Sequence, residues 1–140
     1  MNQFIFIFFM LGINVSPKET IHLLALHYQT RGMQKHLLIT ADSTVVTINA
    51  ERHSFKTKAI QWKKILKTME QVKLNSISRL KRPSTKSFYD GAMAAQMEVI
   101  TSKKTYVSID FDHTQAPLML SKTIAMMKAS LKDASPKVEF

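Results

Sequence analysis

Cysteine is absent from the 140-residue sequence, and glycine occurs only three times. Without cysteine there can be no disulfide bond, thiolate zinc site, cysteine nucleophile or cysteine-linked lipid anchor. Neither a GxSxG nucleophile motif nor a glycine-rich phosphate loop occurs. A catalytic site would have to be assembled from residues that are distant in sequence, so the sequence favours a protein that is not an enzyme and predicts no cofactor.

Acidic residues are scarce in one third of the chain. The protein has 20 basic and 10 acidic residues, which gives a formal net charge of +10. Residues 52–86 contain eleven basic residues and one acid, Glu70, so this segment holds the whole excess of positive charge. Such a field attracts nucleic acid, acidic lipid or an acidic partner, but it also keeps a protein soluble.

The composition of 45% hydrophobic and 21% charged residues is that of an ordinary folded protein. We expect a single domain over residues 21–133 and a frayed tail over residues 134–140.

The longest apolar run is FIFIFFMLGI at residues 4–13. Ten helical residues rise about 15 Å, which is half of a roughly 30 Å hydrocarbon core, so the run is too short to span a membrane. It is typical of a secretory signal, and we expect residues 1–16 to be a signal peptide or apolar leader. The protein would then be periplasmic, envelope-associated or secreted. The alternative is a buried first strand in a cytoplasmic protein, because no Lys or Arg precedes the run.

Apolar periodicity along the rest of the chain predicts the order β-β-β-α-β-β-α. The predicted strands cover residues 21–28, 35–40, 44–48, 93–101 and 104–111, and the predicted helices cover residues 58–72 and 117–133. We expect an α+β domain in which an antiparallel sheet of about five strands carries both helices on one face. The other face would be open to water or to a partner. No transmembrane span is expected in this domain.

The first predicted helix is amphipathic, with Thr57 as its expected N-cap. Its apolar stripe comprises Trp62, Ile65, Leu66, Met69 and Val72. The second helix begins at Pro117 and has a stripe of Leu120, Ile124, Met127 and Leu131. Between the first helix and Pro83, three-residue spacing of apolar side chains predicts a short 3₁₀ segment over residues 74–80.

The basic segment contains six candidate anion-binding residues: Lys63, Lys64, Lys67, Arg79, Lys81 and Arg82. They could bind phosphate groups by releasing counterions, which would make the affinity strongly salt-dependent. However, no glycine-aromatic RNA motif is present, and the only aromatic residue of the helix, Trp62, lies on its apolar side. We therefore interpret the lysines of this helix as a solvated face, and nucleic-acid binding is the less favoured function.

The stretch SIDFDHTQAP at residues 108–117 contains two candidate metal ligands, Asp112 and His113. The simpler interpretation is that Asp112 or Thr114 caps the second helix. His27 and His36 lie in neighbouring predicted strands, and a two-histidine surface site between them remains open.

Several local patterns occur together: the apolar leader, Arg31-Gly32, the QWKKIL segment at residues 61–66, YDGA at residues 89–92 and FDH at residues 111–113 before the proline-led helix. In this combination the chain resembles small uncharacterised exported or lipoprotein-like proteins of Bacteroidetes-type bacteria, although it lacks their lipidation cysteine. The resemblance implies an α+β domain in the envelope or outside the cell.

The sequence therefore predicts a small, basic, exported binding or structural domain that interacts with a protein or envelope component. Anion or nucleic-acid binding through residues 52–86 is the first alternative. A metal-dependent enzyme that uses histidine and aspartate is the second.

Overall fold

A computed structural model describes residues 16–140, so the predicted leader at residues 1–16 lies, apart from Ser16, outside the described part of the chain. Seven strands are present: Ile21–Thr30 (β1), Met33–Ile39 (β2), Ser43–Ile48 (β3), Glu51–Lys56 (β4), Ala94–Thr101 (β5), Thr105–Val107 (β6) and Phe111–Asp112 (β7). Two α-helices cover Ala59–Met69 (α1) and Leu118–Ala134 (α2). Two 3₁₀ helices cover Leu74–Arg79 and Lys86–Tyr89.

The strands form one antiparallel sheet in the spatial order β4-β3-β2-β1-β5-β6, and β7 also pairs with β5. The predicted α+β class and antiparallel sheet are confirmed. Strand β4 was not predicted because its sequence, ERHSFK, contains a single large apolar side chain. It lies at the sheet edge and is mostly exposed, so it has no alternating pattern to detect.

One face of the sheet is covered by the helices and forms the hydrophobic core. Alternate residues of β1, β2 and β5, including Leu24, Leu37 and Met97, form one buried cluster with residues of both helices. Most of the two predicted stripes is confirmed, since Ile65, Met69, Ile124 and Met127 are buried and Trp62 is partly buried. Leu66 is only half-buried and lies outside the core cluster, and Val72 is buried but follows the end of α1. Full burial of each such side chain stabilises the fold by about 1.5–3 kcal/mol.

The predicted cap of α1 is wrong. The N-cap residue is Lys58, and no side chain there bonds the helix N-terminus. The hydroxyl of Thr57 instead lies 2.9 Å from the hydroxyl of Thr44 on β3, and both residues are buried. A buried hydroxyl requires a hydrogen-bond partner, and Thr44 supplies it on the sheet side. The predicted 3₁₀ segment is confirmed at Leu74–Arg79.

The second hairpin is shorter than predicted, because the strand expected over residues 104–111 is interrupted between β6 and β7. At the interruption, the N–H of Ser108 donates to the Met97 carbonyl at 2.8 Å. The Ser108 hydroxyl accepts from the Met97 N–H at 2.9 Å. This side-chain bond replaces a ladder bond and redirects the chain, so that Phe111 is buried although Val107 is exposed.

The C-terminal tail, which was predicted to be frayed, contacts the domain. The ring of Phe140 lies 4.7 Å from the ring of Tyr28, centroid to centroid, and Val138 also packs against the core. In the described residues, no helix combines the length and apolar character that crossing a membrane requires.

Candidate functional site

A groove runs between the two helices. Its volume is about 750 Å³. Lys64, Lys67, Thr68 and Gln71 of α1 and Leu118, Met119, Ser121, Lys122 and Met126 of α2 line it. The helices contact each other beneath it, where the hydroxyls of Thr68 and Thr123 are 2.8 Å apart. The groove is therefore a consequence of how α1 and α2 pack.

The groove continues past the start of α2. An adjacent concavity of about 520 Å³ is lined by Leu80, Lys81, Pro83, Pro117, Leu118 and Met119. Because Leu118 and Met119 belong to both concavities, the two form one elongated surface, which we call the helix groove. Leu118 is 90% exposed, and Met119 is also exposed. An apolar side chain so exposed within a concave surface is typical of an interaction site.

The electrostatic character of the helix groove is positive. Lys64, Lys67 and Lys122 line its larger part and Lys81 the smaller part, while none of the described acidic side chains lines either. The first turn of α2 contains no acidic residue, and no side chain caps it. A helix N-terminus carries a partial positive charge, which adds to that of the lysines.

Three of the six predicted anion-binding residues, Lys64, Lys67 and Lys81, lie at the helix groove. Lys63 is exposed on α1 but is not among the residues that line it.

The two arginines among these predicted residues lie elsewhere. Arg79 lines a different concavity together with Glu19 and Tyr106. Arg82 has its guanidinium 3.7 Å from the Asp110 carboxylate and over the ring of Phe88 at 4.5 Å. The six residues therefore do not line a single concavity.

Asp112, predicted as a helix cap or metal ligand, is fully buried. Its two carboxylate oxygens accept hydrogen bonds from the backbone N–H groups of Lys86 at 2.9 Å and Ser87 at 3.0 Å. The prediction that Asp112 or Thr114 caps α2 is wrong, because Pro117 occupies the N-cap of that helix. Asp112 instead satisfies the first N–H groups of the 3₁₀ helix Lys86–Tyr89.

Hydrogen bonding keeps Asp112 ionised. Burial alone would raise the pKa of this carboxyl group. The hydrogen bonds from the Ser84 and Ser87 hydroxyls and from the backbone of Ser87 and Lys86 outweigh that effect. The pKa of Asp112 therefore lies well below its usual range.

His113 is engaged by backbone groups in a similar way. The backbone N–H of His113 donates to the Met93 carbonyl at 3.0 Å, and the Nδ1 atom of its ring accepts from the Met93 backbone N–H at 3.0 Å. Burial lowers the pKa of His113, and the charges of Lys128 and Lys35 lower it further. Over residues 16–140, no group of three or more His, Asp or Glu side chains is arranged to hold a metal ion.

His27 and His36 lie opposite each other on β1 and β2, on the face of the sheet that the helices leave open. Their Nδ1 atoms are 2.7 Å apart, and their rings meet edge to face with centroids 5.0 Å apart. The Nε2 atom of His27 is 3.5 Å from a carboxylate oxygen of Glu98 on β5. Burial and the charge of His27 lower the pKa of His36. The strand register thus brings together the two histidines that the sequence left as an open possibility.

The helix groove was not predicted from the sequence, because the periodicity of α2 identifies only the apolar residues that face the core. The other apolar residues of this helix do not fit that pattern. Leu118 and Met119 lie next to the stripe residue Leu120 but outside the predicted stripe. Two large apolar residues off the stripe, at the very start of a helix, are the signal that could have revealed the groove.

Comparison with known proteins supplies no relative of this chain. No family model matches the sequence, and no curated protein or solved structure matches it either. A functional proposal must therefore be argued from the geometry and charge of the surface.

Proposed function

We propose that this protein is a binding module whose helix groove accepts an acidic amphipathic helix from a partner protein. The observation that carries the proposal is Leu118, a 90% exposed apolar residue among those that line a concave surface together with lysines. Burial of this side chain and of Met119 by a partner would remove apolar surface from water, which favours association.

The shape of the helix groove supports a helical ligand. It is elongated, since two concavities meet at Leu118 and Met119. Helix-in-groove recognition places the apolar stripe of the ligand along such a surface. Met119 and Met126 are flexible and polarisable side chains, which adapt readily to the shape of a bound apolar face.

The charge of the groove supports an acidic ligand. Lys64, Lys67 and Lys122 would face carboxylates on the two sides of the ligand's apolar stripe. Charge complementarity of this kind accelerates association and selects among partners. The lysines therefore favour an acidic amphipathic helix over a neutral one of the same shape.

Nucleic acid and lipid fit the groove less well. Binding of single-stranded nucleic acid uses aromatic side chains for base stacking, and none of the aromatic residues between residues 16 and 140 lines the groove. An acyl chain is bound best in an enclosed cavity, whereas the exposure of Leu118 shows a groove open to solvent.

The experiment measures the binding of a fluorescent designed helical peptide that has a leucine stripe flanked by glutamates. We expect saturable binding to the wild-type protein, which Leu118→Glu should abolish because it replaces an exposed apolar side chain of the groove with a charged one. The double substitution Lys64→Glu and Lys67→Glu should weaken binding by about tenfold or more, because it reverses the rim charge. Lys63→Glu is the matched control on the same helix and should bind almost like wild type.

Other ligands provide the contrary outcomes. Equal binding of a peptide in which lysines replace the glutamates would refute the acidic ligand. Retention on heparin that depends on Lys64 and Lys67, with no peptide binding, would support the nucleic-acid alternative instead. Binding to anionic vesicles that Leu118→Glu abolishes, again without peptide binding, would identify a lipid surface as the ligand. Circular dichroism of each variant establishes that the fold is retained.

We further propose that the partner lies in the cell envelope or outside the cell. The support is the apolar run at residues 4–13 and the resemblance to exported lipoprotein-like proteins. N-terminal sequencing of the protein recovered from its native cells tests this proposal. Cleavage near Ser16 is expected, and an intact Met1 in a cytosolic fraction would refute it.

A further inference from the structure

The open face of the sheet carries a pair of ring nitrogens that no other described polar group engages. His27 and His36 face each other across β1 and β2, and their Nδ1 atoms are 2.7 Å apart. Two neutral imidazoles can keep this contact only if one nitrogen carries the proton and the other accepts it. When the imidazole that carries this proton takes its other tautomer, the proton moves to Nε2, and both Nδ1 lone pairs are then free to bind a divalent metal ion.

We propose that His27 and His36 form a binding site for one divalent transition-metal ion of the Cu²⁺ type, in which Glu98 orients His27. Imidazole nitrogen is a preferred ligand for Cu²⁺, Ni²⁺ and Zn²⁺. The two histidines would supply neighbouring ligand positions, and water would occupy the others. A site with two protein ligands is compatible with the absence of any three-residue metal cluster among residues 16–140.

The backbone holds the two ligands in place before any metal arrives. His27 pairs with His36 in the register of β1 and β2, and with Gln96 in the register of β1 and β5. His36 is also paired with Thr47 on β3. Both residues therefore lie on strands that are hydrogen-bonded on both sides, so the Cα separation of the ligands is fixed by the sheet. Such preorganisation lowers the cost of ordering a metal site.

The separation of the two nitrogens selects the type of metal. With metal–nitrogen bonds of about 2.0–2.1 Å, two ligands at a right angle lie about 2.9 Å apart, and two tetrahedral ligands about 3.3 Å apart. The observed 2.7 Å separation is a hydrogen-bond distance that is shorter than both values, and the rings have to move apart less to reach the right-angle arrangement than the tetrahedral one. Tetragonal nitrogen and oxygen coordination is typical of Cu²⁺ and Ni²⁺, whereas structural Zn²⁺ is tetrahedral.

Glu98 has the position of an orienting partner rather than a ligand. Its carboxylate lies 3.5 Å from Nε2 of His27, on the side of the ring opposite to the shared Nδ1. A carboxylate there holds the proton of the imidazole on Nε2 and leaves the Nδ1 lone pair free for a metal. Metal-bound histidines commonly have such a carboxylate on their second nitrogen, and its removal costs about 10- to 100-fold in metal affinity.

The test is a titration of the full chain with Cu²⁺ in the presence of glycine, a weak competing chelator that suppresses binding to single histidines. We expect one Cu²⁺ per chain and an axial electron paramagnetic resonance spectrum with hyperfine coupling from two imidazole nitrogens. His27→Ala and His36→Ala should each remove this spectrum. Glu98→Gln should keep it but lower the affinity about tenfold. His22→Ala is the matched control, since His22 is exposed on the same strand, and it should change nothing.

Two results would overturn the proposal. One is a wild-type spectrum and affinity in both His27→Ala and His36→Ala, which would assign the ion to other histidines or to the chain terminus. The other is the absence of a two-nitrogen spectrum in the wild-type protein. Circular dichroism, together with the more conservative variant His36→Gln, separates loss of the site from loss of the fold. Neither result depends on the helix groove, which lies on the other side of the sheet.

Discussion

The two pairs of residues that could bind a metal, Asp112 with His113 and His27 with His36, differ in what already occupies their polar atoms. Backbone N–H groups of Lys86, Ser87 and Met93 donate to the first pair, which is thereby part of the fold. In the second pair, as far as the described residues show, each Nδ1 is hydrogen-bonded only to the other Nδ1, on an open face of the sheet.

The comparison shows that proximity in sequence is a poor guide to a binding site. Asp112 and His113 are adjacent in the chain, yet Asp112 ends β7 and His113 begins the following turn, and each has a different backbone partner. His27 and His36 are nine residues apart, and antiparallel pairing places them face to face. A side chain whose acceptors are already filled stabilises structure, whereas one with an accessible lone pair can bind a ligand.

The largest effect is expected for Asp112→Ala, which removes the buried acceptor of two backbone N–H groups. We expect a loss of about 2–3 kcal/mol in the free energy of unfolding, because hydrogen bonds to a charged acceptor are strong and the donors would remain unsatisfied. Chemical denaturation measures it. Asp110→Ala is the control, since Asp110 is exposed, and it should cost less than about 1 kcal/mol. Similar losses for the two variants would contradict the role of Asp112.

The pH dependence of stability also tests the structural role of Asp112. The pKa of Asp112 is lower in the folded protein than in the unfolded chain, so its ionised form is stabilised by folding. Its contribution to stability is fully present above the unfolded pKa, about 4, and is lost as the pH falls from there toward the folded pKa. The stability difference between wild type and Asp112→Asn should therefore shrink below about pH 4. A difference that is constant down to about pH 2 would contradict this assignment.

Much of the fold could be predicted from the sequence, because local periodicity records which side chains face the core. The stripe containing Ile65 and Met69 and the alternation of Met97 and Val99 predicted a helix and a strand that the structure confirms. Strand β4 could not be predicted in this way, since an exposed edge strand needs no apolar alternation.

The candidate sites depend on contacts that periodicity does not record. The sequence predicted that Asp112 caps a helix. The helix that it caps, however, is the 3₁₀ helix Lys86–Tyr89, which precedes it by more than twenty residues in the chain. A local cap can be inferred from neighbouring residues, whereas a cap across the fold requires the tertiary structure. The helix groove likewise requires knowledge of which helices pack together.

An intermediate effect is expected for His113→Ala. The substitution removes the acceptor of the Met93 N–H and an edge-to-face contact between the His113 and Tyr28 rings at 5.5 Å. We expect a loss of about 1 kcal/mol, since the bond is between neutral groups. Thermal and chemical unfolding measure it, and Cu²⁺ binding should not change. A loss of the two-nitrogen copper spectrum in this variant would mean that His113, and not only the pair His27 and His36, contributes to metal binding.

The smallest effect on the metal-free protein is expected for His36→Ala. The bond between the two histidines joins partly exposed side chains, and His27 can bond water when its partner is removed. No buried donor or acceptor is left unsatisfied, so the free energy of unfolding should change by at most about 0.5 kcal/mol. Chemical denaturation with and without Cu²⁺ measures this, and only the copper-dependent stabilisation should disappear. A loss as large as that of Asp112→Ala in the absence of metal would mean that the histidine pair belongs to the structural framework.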